Sequence, residues 1–368
     1  MLVPGMLFSQ EYHGAVKEVI IQRVNSRQDT TLVSCEKFNE NGKLTEYIEF
    51  LPNKDTAASI VYTYDKNDNK TREIHYEGNH LKKHKEYTYN QQGLLKEKIR
   101  IAPDGSPGRR TLYQYDDYNR LIEESVYNNE KLQSQIIRKY NAENLLIKEN
   151  RKLGNIANES SFSYDSLNRL VEKDFGNYKE YFAYNRSGKI IREVKEYPAD
   201  SRKEVVEYTY GNMNNLLEKK VYDYTGKLQH HNTFIYDSLS RITGESKYYG
   251  TDLRERKEYR YDKYGNTISI KVYDSCDSLK ETTSRAFSDA NRVISESITN
   301  YSISPQETLK KQFNESGQPV VIEKMNQEYE VTGKTILEYD KHQNLLTKTI
   351  FFNGKLDYEI IYTYKSFK

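Results

Sequence analysis

The chain has no tryptophan, only two cysteines, four methionines and seven prolines in 368 residues. Cys35 and Cys276 lie too far apart to form a compact zinc or redox motif, and two cysteines make no disulfide framework. Both are expected to stand unpaired. No stretch approaches the roughly 18 apolar residues of a membrane-crossing helix, so the chain is expected not to span a membrane. Neither sign of charge dominates: 56 basic and 54 acidic residues leave a formal charge of +2. Lysine and glutamate alternate at close range, as in Lys96-Glu97-Lys98, which describes a mixed solvated surface and argues against a nucleic-acid partner. No helical periodicity runs for a useful length.

Tyrosine is what the chain has in excess. There are 34 Tyr and 12 Phe in a sequence whose mean hydropathy is −0.92. Disordered segments are poor in aromatic residues, whereas tyrosine favours half-buried pleated surfaces and can hydrogen-bond at its tip. The composition therefore describes a folded, β-rich protein. Its first ten residues, Met1 to Gln10, are apolar as far as Phe8 and turn polar at Ser9. They fit either the tail of a secretory leader whose basic start is missing or a mildly hydrophobic terminus. Residues 11–368 are expected to form a single repeat domain.

Aligned on an aromatic anchor, the chain repeats fourteen times: Phe38, Tyr64, Tyr89, Tyr115, Tyr140, Tyr164, Tyr184, Tyr210, Tyr236, Tyr261, Phe287, Phe313, Tyr339 and Tyr364. The gaps are 24–26 residues, except 20 between Tyr164 and Tyr184. A second aromatic stands two residues before the anchor in nine units, for example Tyr62, Tyr113 and Phe162. That spacing puts both rings on one face of a strand. Asp or Asn follows the anchor in eleven of the first thirteen units, and Gly or Asn comes three residues later in ten. This is the chemistry of a type I turn closed by a left-handed residue. An aliphatic two positions further on, such as Leu95, Leu121 or Ile242, opens a return strand. A looser connection such as Pro103-Asp104-Gly105-Ser106 then leads to the next unit.

The fold class expected is therefore all-β, a tandem array of antiparallel hairpins. About 28 strands exceed what an open twisted sheet tolerates. At about 4.8 Å each they would span about 130 Å. The array should curl into a hollow barrel-like shell or a spiral with stacked turns, and its sheet ends should be covered or paired.

The segments Tyr113-Gln114-Tyr115-Asp116-Asp117-Tyr118-Asn119-Arg120-Leu121 and Phe162-Ser163-Tyr164-Asp165-Ser166-Leu167-Asn168-Arg169-Leu170 resemble the tyrosine-aspartate (YD) repeat of bacterial Rhs proteins and animal teneurins. The resemblance runs from about residue 18 to the end. It implies long hairpins wound into a large hollow shell. Rhs toxin shells also carry a toxin released by cleavage at an aspartate-proline motif, but no proline here follows an aspartate. Only four residues follow Tyr364, and the chain is expected to be the shell module alone.

No catalytic constellation emerges. Gly333-Lys334-Thr335 resembles the end of a phosphate loop, but Glu328 occupies the upstream glycine position and no strand–loop–helix context surrounds it. Asp65, Asn67, Asn69 and Glu73 suggest a calcium loop, yet Lys70 and Tyr76 replace its glycine and bidentate glutamate. The repeat's own turn explains them. His230-His231 is expected to be an exposed pair in a connection between units, its members on opposite faces. Three irregularities break the pattern: the short unit around Gly176 and Asn177, Arg285 and Lys311 in place of the preceding aromatic, and Pro319 opening a return strand. The expectation is thus a protein without enzymatic activity, metal or cofactor, with its ligand-binding residues unassigned. Three functions are open: a scaffold holding a partner protein, such as a subunit of an envelope or secretion complex; a glycan-binding surface protein; or a shell for a separately encoded cargo. Export to the periplasm or cell surface is expected for each.

Overall fold

The computed structural model describes residues 15–367, so the expected leader segment at 1–10 lies outside the described residues. Among those residues there are 28 β-strands and no helix. The hairpin array is all-β and antiparallel throughout, as the repeat requires. Its described residues divide into two compact units, 15–108 with 310–367, and 109–309.

The first unit joins the two ends of the sequence. Its ladders run from Pro319–Met325 through each successive hairpin to Lys355–Ser366. They continue from Val16–Asn25 to Leu95–Ile101. Lys355–Ser366 pairs antiparallel with Val16–Asn25, from Val16 opposite Ser366 to Asn25 opposite Tyr358. The first and last strands therefore satisfy each other's free edge: the sheet ends, expected to be covered or paired, are paired with each other. The second unit is an unbroken meander, from Arg110 opposite Tyr127 to Glu281 opposite Asn300. The 20-residue gap falls on its shortest hairpin, Leu170–Asp174 and Lys179–Tyr184. Pro319 is the first residue of its strand, where no ladder donor is required.

The turns after the anchors follow the expected chemistry closely. In each, the residue after the anchor bonds the backbone four residues on. The left-handed position is filled at Gly42, Asp68, Gly93, Asn119, Asn144, Asn168, Gly188, Asn214, Ser240, Gly265, Asn291, Gly317 and Gln343. At most of the Asp or Asn positions the carboxylate or amide oxygen accepts two backbone N–H groups, as Asp165 Oδ1 does from Leu167 and Arg169 at 2.9 and 3.0 Å. Several connections between units differ from expectation, because they are as tight as the anchor turns, whereas residues 301–306 form a looser six-residue loop. Gly105, Gly226 and Asp277 close loops of the same five-residue kind. Asn129-Glu130 and Asn353-Gly354 are two-residue turns with both residues left-handed, the hairpin geometry that matches strand twist. They look loose in sequence only because no aromatic anchor marks them.

Few side chains are fully enclosed: Val19, Val16, Cys35, Val126, Met325 and Leu345 are the main apolar ones. Cohesion comes instead from bonds that tie each unit to the one before it. The hydroxyl of Tyr164 donates to the Leu146 carbonyl at 2.9 Å, across to the start of the preceding return strand. The same bond joins Tyr64 to Leu44, Tyr89 to Lys70, Tyr140 to Leu121, Tyr184 to Leu170 and Tyr210 to Ile190. It recurs from Tyr236 to Leu216, Tyr261 to Ile242, Tyr339 to Pro319 and Tyr364 to Leu345. A phenylalanine anchor would pack as well but could not make this latch. Turn arginines add a second tie. Arg120, held by Asp116 at 2.6 Å, lies 4.9 Å over the Tyr140 ring and donates to Asn144 at 2.7 Å. Arg169 over Tyr184 and Arg241 over Tyr261 repeat it, each at 4.6 Å.

Candidate functional site

Each motif singled out in the sequence has a structural explanation in its own surroundings. Gly333-Lys334-Thr335 lies inside the strand Val331–Tyr339, with Lys334 paired to Glu323 at 2.9 Å. Asp65 uses Oδ1 to hold the N–H groups of Asn67 and Asn69, and Oδ2 to hold the Asn69 side chain. Backbone and side-chain donors from Asn69 keep its carboxyl below its ordinary value. Among the described residues no group of three or more His, Cys, Asp or Glu is placed to hold a metal. Cys35 is buried and Cys276 exposed, both free. Burial, followed by the nearby Glu18 carboxylate, pushes the Cys35 thiol up to about 11.

Glu73 is not part of that turn. It sits on the half-buried face of Lys70–Glu77, 7 % exposed, between Tyr62 and Lys85 on the neighbouring strands. Lys70 Nζ lies 2.8 Å away, Lys83 Nζ 3.0 Å, His75 Nε2 2.9 Å and the Tyr87 hydroxyl 3.0 Å. Burial alone would raise its pKa, but the bonds from Lys70, Lys83 and His75 outweigh it and hold the carboxyl well below the usual range. The same burial, with the charge of Glu73, pushes Tyr87 upward. A carboxylate with this many donors is a structural hub.

The position nine residues after the anchor recurs as a charged layer on this face. Tyr208 donates to Glu193 at 2.8 Å and Tyr259 to Glu245 at 3.2 Å. Where arginine replaces the aromatic, an ion pair takes the place: Arg285 meets Glu296 at 2.8 Å, and Arg138 meets Glu149 at 2.9 Å.

The histidine pair departs from expectation. Both residues lie inside the strand Leu228–Tyr236, not in a connection. His231 is bonded to Glu218 at 2.7 Å and stacks on Tyr248, ring centres 5.2 Å apart. His230, on the other face, meets the edge of Tyr249 at 5.5 Å. It stands in register between Val221 and Tyr249, while Asn232 stands between Lys219 and Lys247. These two rows floor an open hollow of about 640 Å³. A bulge between Lys247 and Tyr248 shifts the next ladder by one residue, and Arg254 comes to rest 5.5 Å over the Tyr249 ring. Bulges commonly re-aim a side chain in this way.

Charge in the hollow is one-sided. Lys247 is paired with Glu255 at 2.9 Å. Lys219 faces the Tyr208 ring at 5.6 Å and Arg254 faces Tyr249, and among the described residues neither forms an ion pair. Tyr249 is half exposed. A second hollow of about 580 Å³ shares Val221, His230 and Tyr249 with the first and extends across the strands as far as Lys173. Its walls carry Glu180, Glu193 and Glu204 beside Lys195 and Gln229. Lys219, Tyr249 and Arg254 were not singled out from the sequence. The only signal was the doublet Tyr248-Tyr249, which breaks the alternation of the strand Ile242–Tyr249.

Comparison with known proteins adds little to this. One family profile, described as "Uncharacterised protein", matches residues 61–192, less than half of the chain. No curated protein matches. Among solved structures, the Photorhabdus luminescens Tc holotoxin pore aligns over 93 % of this chain and 25 % of its own, at 10 % identity and a TM-score of 0.37. A TcdB2-TccC3 crystal structure aligns over 92 % and 26 %, at 10 % identity and a TM-score of 0.33. A porin-like protein from Bacteroides uniformis aligns over 71 % and 96 %, at 13 % identity and a TM-score of 0.25. The chain spans about a quarter of the toxin chains it matches.

Proposed function

We propose that this chain is a non-catalytic YD-repeat scaffold of the Rhs and teneurin-like kind, exported to the bacterial envelope or cell surface, where its sheet face holds a partner protein. The observation that carries this reading is the unit-to-unit lattice of tyrosine latches and turn arginines. It fixes a long face against bending without a large enclosed core, a property that serves recognition by an extended surface. The test is purification of the tagged protein from its native envelope, with gentle cross-linking and mass spectrometry. A stoichiometric protein partner is the expected result. A protein recovered alone would refute the partner-holding role.

A second reading, a glycan-binding surface protein, is favoured by one observation. The hollow around His230 and Tyr249 presents a half-exposed ring beside amide and cationic groups. Binding sites of this kind pair an apolar or aromatic floor with a few placed polar groups.

A further inference from the structure

We infer that the rim of anchor turns on the second unit is a docking surface for a second copy of this chain, seated antiparallel about a two-fold axis through the turn at Ser187. The surface lies apart from the sheet face that both readings above invoke, and it needs neither of them.

The first observation is a choice that folding does not impose. The third residue after each anchor is the tip of its turn. In the second unit five of these eight tips are large and apolar: Tyr118, Leu167, Met213, Leu239 and Tyr264, 63–75 % exposed. At the same position the first unit carries Asn41, Asn67, Gln92, Ser316 and His342, all exposed. The same backbone bonds close the turns of both units, as at Gly93 and Asn168, so the turn itself does not require an apolar tip. Scattered singly, such side chains would mean little. These five share one rim, whose neighbouring turns touch: Arg120 donates to Asn144 at 2.7 Å, Ser240 to the Met213 sulfur at 3.4 Å and Arg241 to the Asp262 carbonyl at 3.4 Å.

The second is order. Successive turns stand one hairpin apart, roughly 10 Å for two strand spacings. From Tyr118 to Tyr264 the tips read Tyr, Glu, Leu, Ser, Met, Leu, Tyr. Reversed about Ser187, Tyr118 meets Tyr264 of the second copy and Leu167 meets Met213. A two-fold contact needs this self-complementarity, since every pair in it occurs twice. The flanking charges agree. Exposed Asp117 precedes Tyr118 and exposed Lys263 precedes Tyr264, so the same reversal sets a carboxylate beside an ammonium at both ends. Two places break the match: Glu143 falls opposite Leu239, and Arg186 lies beside its own copy at the axis.

The third is size and charge. At roughly 150 Å² for each large side chain, the five tips present on the order of 700 Å², close to the ~800 Å² that each partner of a stable complex buries. The eight turns together carry seven acidic and seven basic residues. Two such rims do not repel each other, and neither offers the basic surplus that anionic headgroups attract.

The test is analytical ultracentrifugation of the full chain over a wide concentration range. A reversible monomer–dimer equilibrium is expected. Leu167→Ser combined with Met213→Ser should weaken it about tenfold or more, whereas Glu143→Leu, which repairs a mismatched tip, should tighten it. Asp117→Lys should weaken it, and adding Lys263→Asp should restore it, as the antiparallel seating demands. Phe352→Ser, at a side chain 65 % exposed beside a turn of the first unit, should change nothing. Circular dichroism shows that each variant is folded. A monomer at every concentration would overturn the inference, as would a dimer indifferent to the Leu167 and Met213 changes. A dimer that the charge swap fails to restore would overturn the two-fold seating. A monomer that binds phosphatidylcholine vesicles through the same tips would overturn it in favour of a lipid surface.

Discussion

Replacing Tyr164 by phenylalanine tests the latch directly. The ring and its packing remain, and only the hydroxyl that donates to the Leu146 carbonyl at 2.9 Å is removed. An intramolecular hydrogen bond contributes about 0.5–1.5 kcal/mol net, and an acceptor left without its donor in a desolvated place costs about 1–3 kcal/mol. The bond here is partly buried, so the expected loss is about 1 kcal/mol. Tyr118, 75 % exposed at a turn, provides the matching control: Tyr118→Phe should change stability by less than about 0.5 kcal/mol. The reverse substitution belongs to the same experiment. Phe287 is an anchor without a hydroxyl, and the repeat places the Thr267 carbonyl as its acceptor. Phe287→Tyr should therefore add about 0.5–1 kcal/mol. Urea unfolding followed by circular dichroism reads all three, with the slope of each transition compared before any midpoint is interpreted. Equal midpoints for Tyr164→Phe and Tyr118→Phe would mean that the hydroxyls are ornaments of packing. The account of cohesion given above would then fail.

Acid should weaken the fold through Glu73, whose carboxyl is held below its ordinary value when folded. Such a group stabilises the fold fully above its unfolded value of about 4.3, and loses that contribution as pH falls toward the lower folded value. Glu73→Gln should cost about 2 kcal/mol at pH 7, and the gap to wild type should narrow as pH drops below about 4. A gap that stays constant from pH 7 to pH 3 in thermal unfolding would exclude the ionised hub. Gly188 sits at a left-handed φ of +78° with no atom within 4 Å of an added Cβ. Gly188→Ala should thus cost about 1–2 kcal/mol from backbone strain alone, while Gly188→Asn should recover about half. Identical melting temperatures for the two variants would contradict that assignment.

The anchors, their turns and the return strands were legible because each is written in local chemistry. A polar opener, a residue tolerant of the left-handed region and an aliphatic restart fall at fixed offsets. Even Asp68, Ser240 and Gln343, whose residue types signal weakly, take the left-handed position that the register assigns them. The connections between units were misjudged because their turns use the same chemistry without an aromatic marker, as at Gly226 and Asp277. His230 and His231 were misplaced for a related reason. The strand Leu228–Tyr236 begins directly after a five-residue loop that ends at Lys227, so a polar run that reads as linker is already in the ladder. Glu73 was noticed as a candidate metal ligand, whereas its donors Lys83, Lys85 and Tyr87 come from the next strand. The hollow at Tyr249 was illegible because it depends on cross-strand register and on one bulge. The repeat pattern does not encode either.

The closed end of the array bears on where recognition can occur. In most sheets the free edge is the obvious place for a partner strand. Here Val16–Asn25 and Lys355–Ser366 occupy each other's edges over most of their length, so that route is shut at both ends of the sequence. The face is the other route, and much of it is committed: tyrosine hydroxyls are bound to carbonyls, arginines to the next turn, and Glu73 and Glu149 to cations. A site can form only where the lattice leaves side chains over. The bulge beside Tyr248 is one such place, because its extra residue has no register partner across the ladder. Arg254 is that residue. Its guanidinium lies 5.5 Å over the half-exposed Tyr249 ring and forms no ion pair among the described residues, so this is one place on the face where a ligand has something to bind.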